Sequence, residues 1–406
     1  MAQEFDRHAP RDALPMPDPL EFPEDGQPES EVIGAVQNLI ADDPFSVERN
    51  FGITYVGPPH PIADRVATLT RGTYFVEWAR EMVPSAYSFE KEAVRMMASL
   101  LGQPEATGFI TSGGTESNMS AMRLARNLAA KSSPEIIMPT SAHYSFRLGA
   151  ELLGINLIET PVDDAMRPDM DAVRRAITPN TAALICSAPE GNFGQLDPVP
   201  DFAQLARDHG LYLHVDGAFG GFILPFMRDL GHDLVPFDLS VPGVDSFMTD
   251  GHKLGMLPVA TGFFLIRDAG MLEAIPVDTT FIHTLTATKP GTHAATAWAV
   301  MRHLGRAGYR ASVEHLLESV QIIVDGIEDM DDLQLMVKPL ISVINFTSDS
   351  VDMERVFMEL SGRGWGTTFG EMNGKARIRL SLNPHRDHEH AHGFLAALRE
   401  SVRAAR

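Results

Sequence analysis

Seven short apolar runs punctuate the chain between about residues 108 and 267, with helical stretches between most of them. In order they read GFIT, EIIMPT, INLIETP, AALICSA, LYLHVDG, DSFMTD and GFFLIR. Several show no alternation of apolar and polar residues, so both faces of such a strand must be buried. Strands buried on both faces and joined by helices build a mostly parallel sheet with helices on each side, the α/β class. Such a sheet binds its ligands just beyond the carboxyl ends of its strands. Function is therefore to be sought in the residues at those ends.

The flanks read differently. Residues 1 to about 30 are rich in proline and acid and show no period, which predicts an extended arm. SEVIGAVQNLIADD then has helical spacing, with Val32, Ile33, Val36, Leu39 and Ile40 on one face. SAYSFEKEAVRMMASLLG predicts a second amphipathic helix that stops at Gly102. From about residue 295, two long helical stretches and the runs ISVINFT and ARIRLSL predict a smaller α+β domain. The expected division is an N-terminal arm and helix over 1–50, a large domain over 51–295 and a small C-terminal domain over 296–406.

Charge and cysteine content narrow the class. Fifty-four acidic residues against 33 basic ones give a net charge of −21. That argues against nucleic acid and against an anionic membrane surface as partners. Cys186 is the single cysteine and lies in an apolar run, so no intramolecular disulfide can form. No apolar run approaches the ~18 residues of a membrane span. A cytoplasmic protein is expected.

The chemistry begins with Lys253, which sits behind His252 between two apolar runs. Lysine is rarely buried, because its ammonium loses hydration there, and a lysine that is buried tends toward the neutral, nucleophilic amine. Other strand ends supply complementary groups. Gly113, Gly114 and Thr115 lie between GFIT and a helix, where backbone amides and the helix dipole can receive a phosphate. Thr115 can equally serve as a helix cap. His143 follows EIIMPT, where it can stack on a planar ligand or simply bond locally. Asp216 ends LYLHV and needs either a basic side chain or a protonated ring nitrogen as partner. Together, a phosphate cradle, a flat ring, a carboxylate and a lysine match the needs of pyridoxal 5'-phosphate. Its aldehyde forms an imine with a lysine, and its ring nitrogen requires a carboxylate to stay protonated.

The sequence also resembles the fold-type-I pyridoxal-phosphate enzymes of the group II decarboxylase superfamily. TSGGTES, PEIIMPTSAH, CSAPEGNFGQLDP, LHVDGAFGGFILPF and FDLSVPGVDSF are similar to sphingosine-1-phosphate lyases. HKLGMLPVATGFFLIRD and LSLNPH are closer to archaeal-type tyrosine/aspartate decarboxylases. The resemblance runs from about residue 50 to the C-terminus. It implies an aspartate-aminotransferase-like fold with a mostly parallel seven-stranded sheet. Lys253 would carry the cofactor, Asp216 would pair with its ring nitrogen, and His143 would stack on the ring. Gly114, Thr115 and His252 would contact the phosphate. ATKPGT, with Thr288 as its candidate residue, resembles the segment that reaches the neighbouring subunit's phosphate, which implies a homodimer with shared sites. Arg379 would take the substrate carboxylate. Arg377 is its rival, since residues two apart on a strand face the same way.

The departures are informative. The lyase branch has tyrosines and a lysine after its cofactor lysine, where this chain has Leu254, Met256 and Val259. The decarboxylase branch has a tyrosine where Phe281 aligns, and no tyrosine occurs from 213 to 308. His283 is the substitute proton donor, and an exposed loop histidine is the alternative reading of it. Trp78, Tyr74 and Tyr87 are candidates for the substrate mouth or for the core. His385, His388, His390 and His392 crowd the last helix, with His388 and His392 on one face, but no cysteine joins them and no metal is expected. The expected reaction is decarboxylation of an L-amino acid to carbon dioxide and an amine. The alternatives are cleavage of a carbon–carbon bond in a hydroxylated amine or its phosphate, and oxidative decarboxylation to an aldehyde. A non-catalytic homodimer holding the cofactor as a structural ligand is a further alternative, which the intact Lys253, Asp216 and His143 oppose.

Overall fold

The computed structural model describes residues 22–41, 47–53, 57–72, 74–76, 81–275, 283–286, 288–372, 374–385 and 387–406. Phe281 and Trp78 lie outside the described residues, as does the arm before residue 22. The chain opens with α1 (Glu29–Ala41), α2 (Pro61–Leu69), β1 (Tyr74–Val76) and α3 (Pro84–Leu100). The central region alternates β2 (Thr107–Thr111), α4 (Gly114–Ala129), β3 (Glu135–Pro139), α5 (Ser145–Leu153), β4 (Asn156–Thr160), α6 (Met170–Ala176), β5 (Thr181–Ser187), α7 (Val199–His209), β6 (Tyr212–Asp216), α8 (Leu224–Asp229), β7 (Ser246–Asp250) and β8 (Gly262–Ile266). The rest comprises β9 (Thr288–Pro290), α9 (Gly291–Glu328), β10 (Gln334–Leu335), β11 (Val343–Thr347), α10 (Met353–Gly362), β12 (Thr368–Met372), β13 (Lys375–Ser381) and α11 (His388–Ala405).

All seven predicted runs become strands of one sheet, in the order β2-β8-β7-β6-β5-β3-β4. The pairs from β7 through β6, β5 and β3 to β4 are parallel, and β8 is antiparallel to both β2 and β7. Every residue of β5, β6, β7 and β8 is buried, as their unbroken apolar character requires, whereas β4 is an edge strand with mixed exposure. The parallel run brings the carboxyl ends of β3, β5, β6 and β7 to one edge. The amino end of β8 joins them, with Gly262 opposite Asp250.

Helices cover the sheet through small or apolar side chains. α4 lays Ser117, Ser120, Ala121 and Ala125 against it, and its first turn follows Gly113, whose φ of 127° suits a glycine. A second, four-stranded antiparallel sheet, β10-β11-β13-β12, forms the smaller C-terminal unit with α10 and α11. α9 leads from the large sheet to it and is interrupted at Gly305, where φ is 55°. Tyr309, just after the break, stacks on Phe226 at 5.3 Å and donates to the Gly255 carbonyl at 2.9 Å.

α1 forms where the periodicity places it, yet none of its residues is buried, and Leu39 is 72% exposed. Periodicity fixes a helical face but not the surface that covers it. α3, read by the same rule, buries Ala86, Ala93, Val94, Met97 and Ala98 and ends just before Gly102.

Candidate active site

Lys253 stands in the turn after β7 with its side chain 15% exposed. Its Nζ lies 3.1 Å from Asp250 Oδ2 and 4.6 Å above the Phe219 ring. Sequence reasoning missed both neighbours. Asp250 is three residues upstream at the strand end, and Phe219 lies in the loop after β6. The second Asp250 oxygen, Oδ1, is buried with no hydrogen-bond partner, and so is Thr249 Oγ1.

Asp216 closes β6, 5% exposed. Its Oδ1 accepts the Ala218 amide at 3.0 Å and its Oδ2 accepts Asn118 Nδ2 at 2.9 Å. His143 follows β3, and its Nδ1 lies 2.9 Å from Ser145 Oγ. His143 is exposed, with Tyr144 tilted against its ring at 4.2 Å. Desolvation by the atoms around it still holds its imidazole below the ordinary histidine pKa, although Asp216 and Asp250 pull the other way.

The glycine segment forms the third wall. Gly113 caps α4 with no side-chain hydrogen bond, so the first-turn amides depend on an outside acceptor. A Cβ on Gly113 would stand 3.1 Å from His252 Cε1, and one on Gly114 would stand 3.0 Å from Asp250 Oδ2. The loop thus lies against the lysine turn without room for side chains. Thr115 is half-buried beside it. Glu116, which sequence reasoning also missed, fixes the loop by accepting the Ser112 amide at 2.6 Å.

A cleft of about 200 Å³ opens beside this loop, lined by Ser112, Thr288, Lys289 and His293 among others. Thr288 is therefore next to the glycine segment of its own chain, and it is exposed. Lys289 bonds Glu90 Oε1 at 2.9 Å and the Ile110 carbonyl at 2.6 Å.

Arg377 and Arg379 both point from β13 toward the loop after β5. Arg377 is 8% exposed, bonds Asn345 Oδ1, and lies over the Phe193 ring at 5.2 Å. Burial brings its pKa down to about 10. Arg379 is half-buried and donates to the Gly191 carbonyl at 3.2 Å. A Cβ on Gly191 would lie 3.9 Å from Phe219, which itself lies under Lys253. Gly191, which holds the head of Arg379, thus lies close to the ring under Lys253.

His283 is not brought to Lys253 by any observed contact. Its carbonyl accepts Arg123 Nη1 at 3.3 Å, midway along α4. The returning chain is fastened to that helix at successive levels. Asn127 holds the Ala274 carbonyl at 2.9 Å, Arg123 holds His283, and Glu116 Oε1 accepts the Leu285 amide at 3.0 Å. Tyr87 is half-buried with Lys91 Nζ 5.4 Å from its ring, and Tyr74 contributes backbone to β1, opposite Pro290. His388 meets not His392 but Glu318 Oε2 at 3.3 Å and the His315 ring at 4.5 Å, and the ligand atoms of these three residues lie within 4.8 Å of one another.

These residues suit pyridoxal phosphate: a lysine amine, a carboxylate two strand ends away from a flat ring, and a glycine-lined helix terminus. Comparison with known proteins agrees. The model of the pyridoxal-dependent decarboxylase conserved domain matches residues 17–348. A probable L-tyrosine/L-aspartate decarboxylase of Methanothermobacter thermautotrophicus is 37% identical over 77% of this chain and 87% of its own length. The L-aspartate decarboxylase of Thermococcus kodakarensis is 35% identical over 93% and 98%. Among solved structures, the sphingosine-1-phosphate lyase of Burkholderia pseudomallei superposes with a TM-score of 0.86 at 29% identity, covering 96% of this chain and 93% of that one. The glutamate decarboxylase of Lactobacillus brevis gives 0.87 at 17% identity over 95% of each chain, a likeness of fold. The chain belongs to the pyridoxal-dependent decarboxylase family and is a pyridoxal-phosphate-dependent carboxy-lyase.

Proposed function

We propose that this chain removes the α-carboxyl group of an L-amino acid, and that L-aspartate and L-tyrosine are the first substrates to test, because relatives that bear those names match most of its length. The observation that carries the reading is the meeting of Lys253, Asp216 and His143 at one sheet edge, on the ends of β7, β6 and β3. Bound pyridoxal phosphate supplies a sink for the electron pair left on the α-carbon when carbon dioxide departs. Lys253 holds its aldehyde carbon, Asp216 its ring N–H, and His143 one face of the ring. Gly114, Thr115 and His252 hold the phosphate. Arg379 receives the substrate carboxylate in a half-buried setting, where a charge-assisted hydrogen bond is stronger than in water. Asp216 keeps the ring-nitrogen proton in place while charge develops at the α-carbon. His283 is assigned the returning proton.

One feature supports a homodimer: α1 exposes its apolar face. Thr288 lines a cleft with the glycine segment of its own chain, so a shared site would need it to reach across from there. Among the described residues no helix is long and apolar enough to cross a membrane. A cytoplasmic enzyme free of nucleic acid fits the acidic composition.

A second reading, cleavage of a phosphorylated amino alcohol, draws on the likeness to the sphingosine-1-phosphate lyase. Leu254 and Met256 weigh against it: they are 2% and 7% exposed and can grip no polar head group. The deciding experiment incubates purified holoenzyme with the common amino acids and with a phosphorylated sphingoid base, measuring carbon dioxide, amine, aldehyde and ammonia together. Carbon dioxide and amine in equal amounts support decarboxylation. A long-chain aldehyde without carbon dioxide would overturn it.

A further inference from the structure

Asn118 lies four residues beyond Gly114 on α4, 1% exposed, and nothing in the reaction outlined above uses it. Its amide has two N–H donors and one carbonyl acceptor, and every one is engaged. Nδ2 donates to Asp216 Oδ2 at 2.9 Å and to Ser145 Oγ at 3.0 Å, while Oδ1 lies 3.0 Å from His214 Nε2. His214 is fully buried two residues before Asp216, and its Nδ1 lies 2.8 Å from Ser246 Oγ on β7.

The direction of each bond is forced. An ionised carboxylate only accepts, so Asn118 must turn its NH₂ toward Asp216. Its carbonyl then faces His214, whose proton must sit on Nε2. Ser246 is left to donate to Nδ1. On the other arm His143 Nδ1 accepts the Ser145 amide at 3.3 Å, so it carries no proton, and the Ser145 hydroxyl, which accepts from Asn118, gives its own proton to the same nitrogen. The neutral His143 ring therefore carries its proton on Nε2. Reversing the Asn118 amide would set its carbonyl against the Asp216 carboxylate, a repulsion in a dry site that no change of His214 tautomer removes.

Resting on the functional reading above, we propose that Asn118 is a positioning residue that fixes the carboxylate meeting the ring nitrogen and the tautomer of the histidine covering the ring, so that both are set by one amide. His214 supports this, since burial lowers its pKa to about 4 and keeps it a neutral donor. The charged and titratable groups facing the network include Asp216, His143, Lys253 and Asp250, with Asp197 and Cys186 near Asp216 from β5 and the loop after it.

The test uses the full chain reconstituted with pyridoxal phosphate. Asn118→Leu should weaken cofactor retention by roughly tenfold or more, the scale of one hydrogen bond to a charged group. Nitrogen NMR of labelled histidine should show Nδ1 of His143 unprotonated in the parent and a mixed tautomer in the variant. Ser145→Ala, which cuts only the arm to His143, should mix the tautomer while leaving cofactor retention within about threefold, and it decides the matter if Asn118→Leu does not fold. A folded Asn118→Leu protein with parental retention and tautomer overturns the proposal, as does a Ser145→Ala protein with the parental tautomer. A parent that takes up no cofactor overturns the functional reading as well, which separates the two failures.

Discussion

The ends of β6 and β7 lie side by side and are finished in different ways. At β6 both oxygens of Asp216 are bonded, and the chain from Ser246 through His214 and Asn118 to Ser145 uses every donor it has. At β7 Asp250 Oδ1 and Thr249 Oγ1 are buried with no hydrogen bond, and Lys253 leans on the other Asp250 oxygen. An unsatisfied buried polar atom costs roughly 1–3 kcal/mol, and more when charged. Folding alone completes the β6 end. The β7 end retains a cost of the kind that collects at functional sites, where the bound group is part of the finished structure.

The strongest way to break this contrast is at the lysine. Lys253→Ala should abolish activity and the yellow colour of the holoenzyme, and borohydride treatment of the parent should fix cofactor to the peptide containing Lys253. Label on another lysine would remove Lys253 from its role.

The two carboxylates come next. Asp216→Asn should lower kcat roughly 10²–10³-fold while some cofactor stays bound, the scale of losing one electrostatic stabiliser. Asp250→Asn should cost less, about tenfold, because it disturbs the lysine and not the sink. Equal losses in steady-state kinetics would show that the two strand ends do not differ as described.

The arginines of β13 carry the same distinction into the smaller sheet. Arg377 is built in, and Arg379 is presented. Arg379→Gln should raise KM by roughly tenfold or more and leave urea unfolding unchanged. Arg377→Gln should instead destabilise the protein by about 2 kcal/mol, since it strands Asn345 Oδ1, while Asn345 Nδ2 still holds the Asn192 carbonyl. A KM effect confined to Arg377→Gln would reverse the assignment.

The last expected effect is in pH. The folded pKa of His214 is about 4, below the ordinary 6.5, so between those values the unfolded chain binds a proton that the folded chain refuses. Stability present above pH 6.5 is therefore lost as pH falls toward 4, in total on the order of 3 kcal/mol. Asp245 works the other way. Burial pushes it up to about 6, so the folded chain gains the proton first and gains stability as pH falls. The comparison must therefore be parent against His214→Asn. The gap in their unfolding free energies should narrow from pH 7 to pH 4.5, and a constant gap would mean that His214 takes up its proton in the fold as readily as in the unfolded chain.

Much of this was legible before any coordinates. Lys253, Asp216 and His143 stand where an unbroken apolar run stops, and such stops are visible in a sequence. Other features leave no such mark. Asn118 reads as one more polar residue of a helix, and its meaning comes from partners 27 and 98 residues away. Glu116 likewise bonds an amide 169 residues distant. Arg377 and Arg379 share a strand face, so only packing separates them. The direction of β8 is hidden because a fully apolar strand has no polarity to read. The cover for α1 lies beyond what periodicity encodes.

The fastening of the returning chain along α4 has a consequence for how this region can change in length. β8 runs away from the lysine, so the chain must travel back past the helix, and it is pinned at Asn127, Arg123 and Glu116 in turn. Those pins, together with Asn118, are set by helical phase. One residue inserted within the first turns of α4 would rotate everything after it by about 100°. Asn118 would turn from Asp216 in the same step that Arg123 and Asn127 lost their carbonyls. A residue added between Ile275 and His283 would leave every pin in register. Indels in this part of the molecule should therefore be tolerated between those two residues and excluded from the helix.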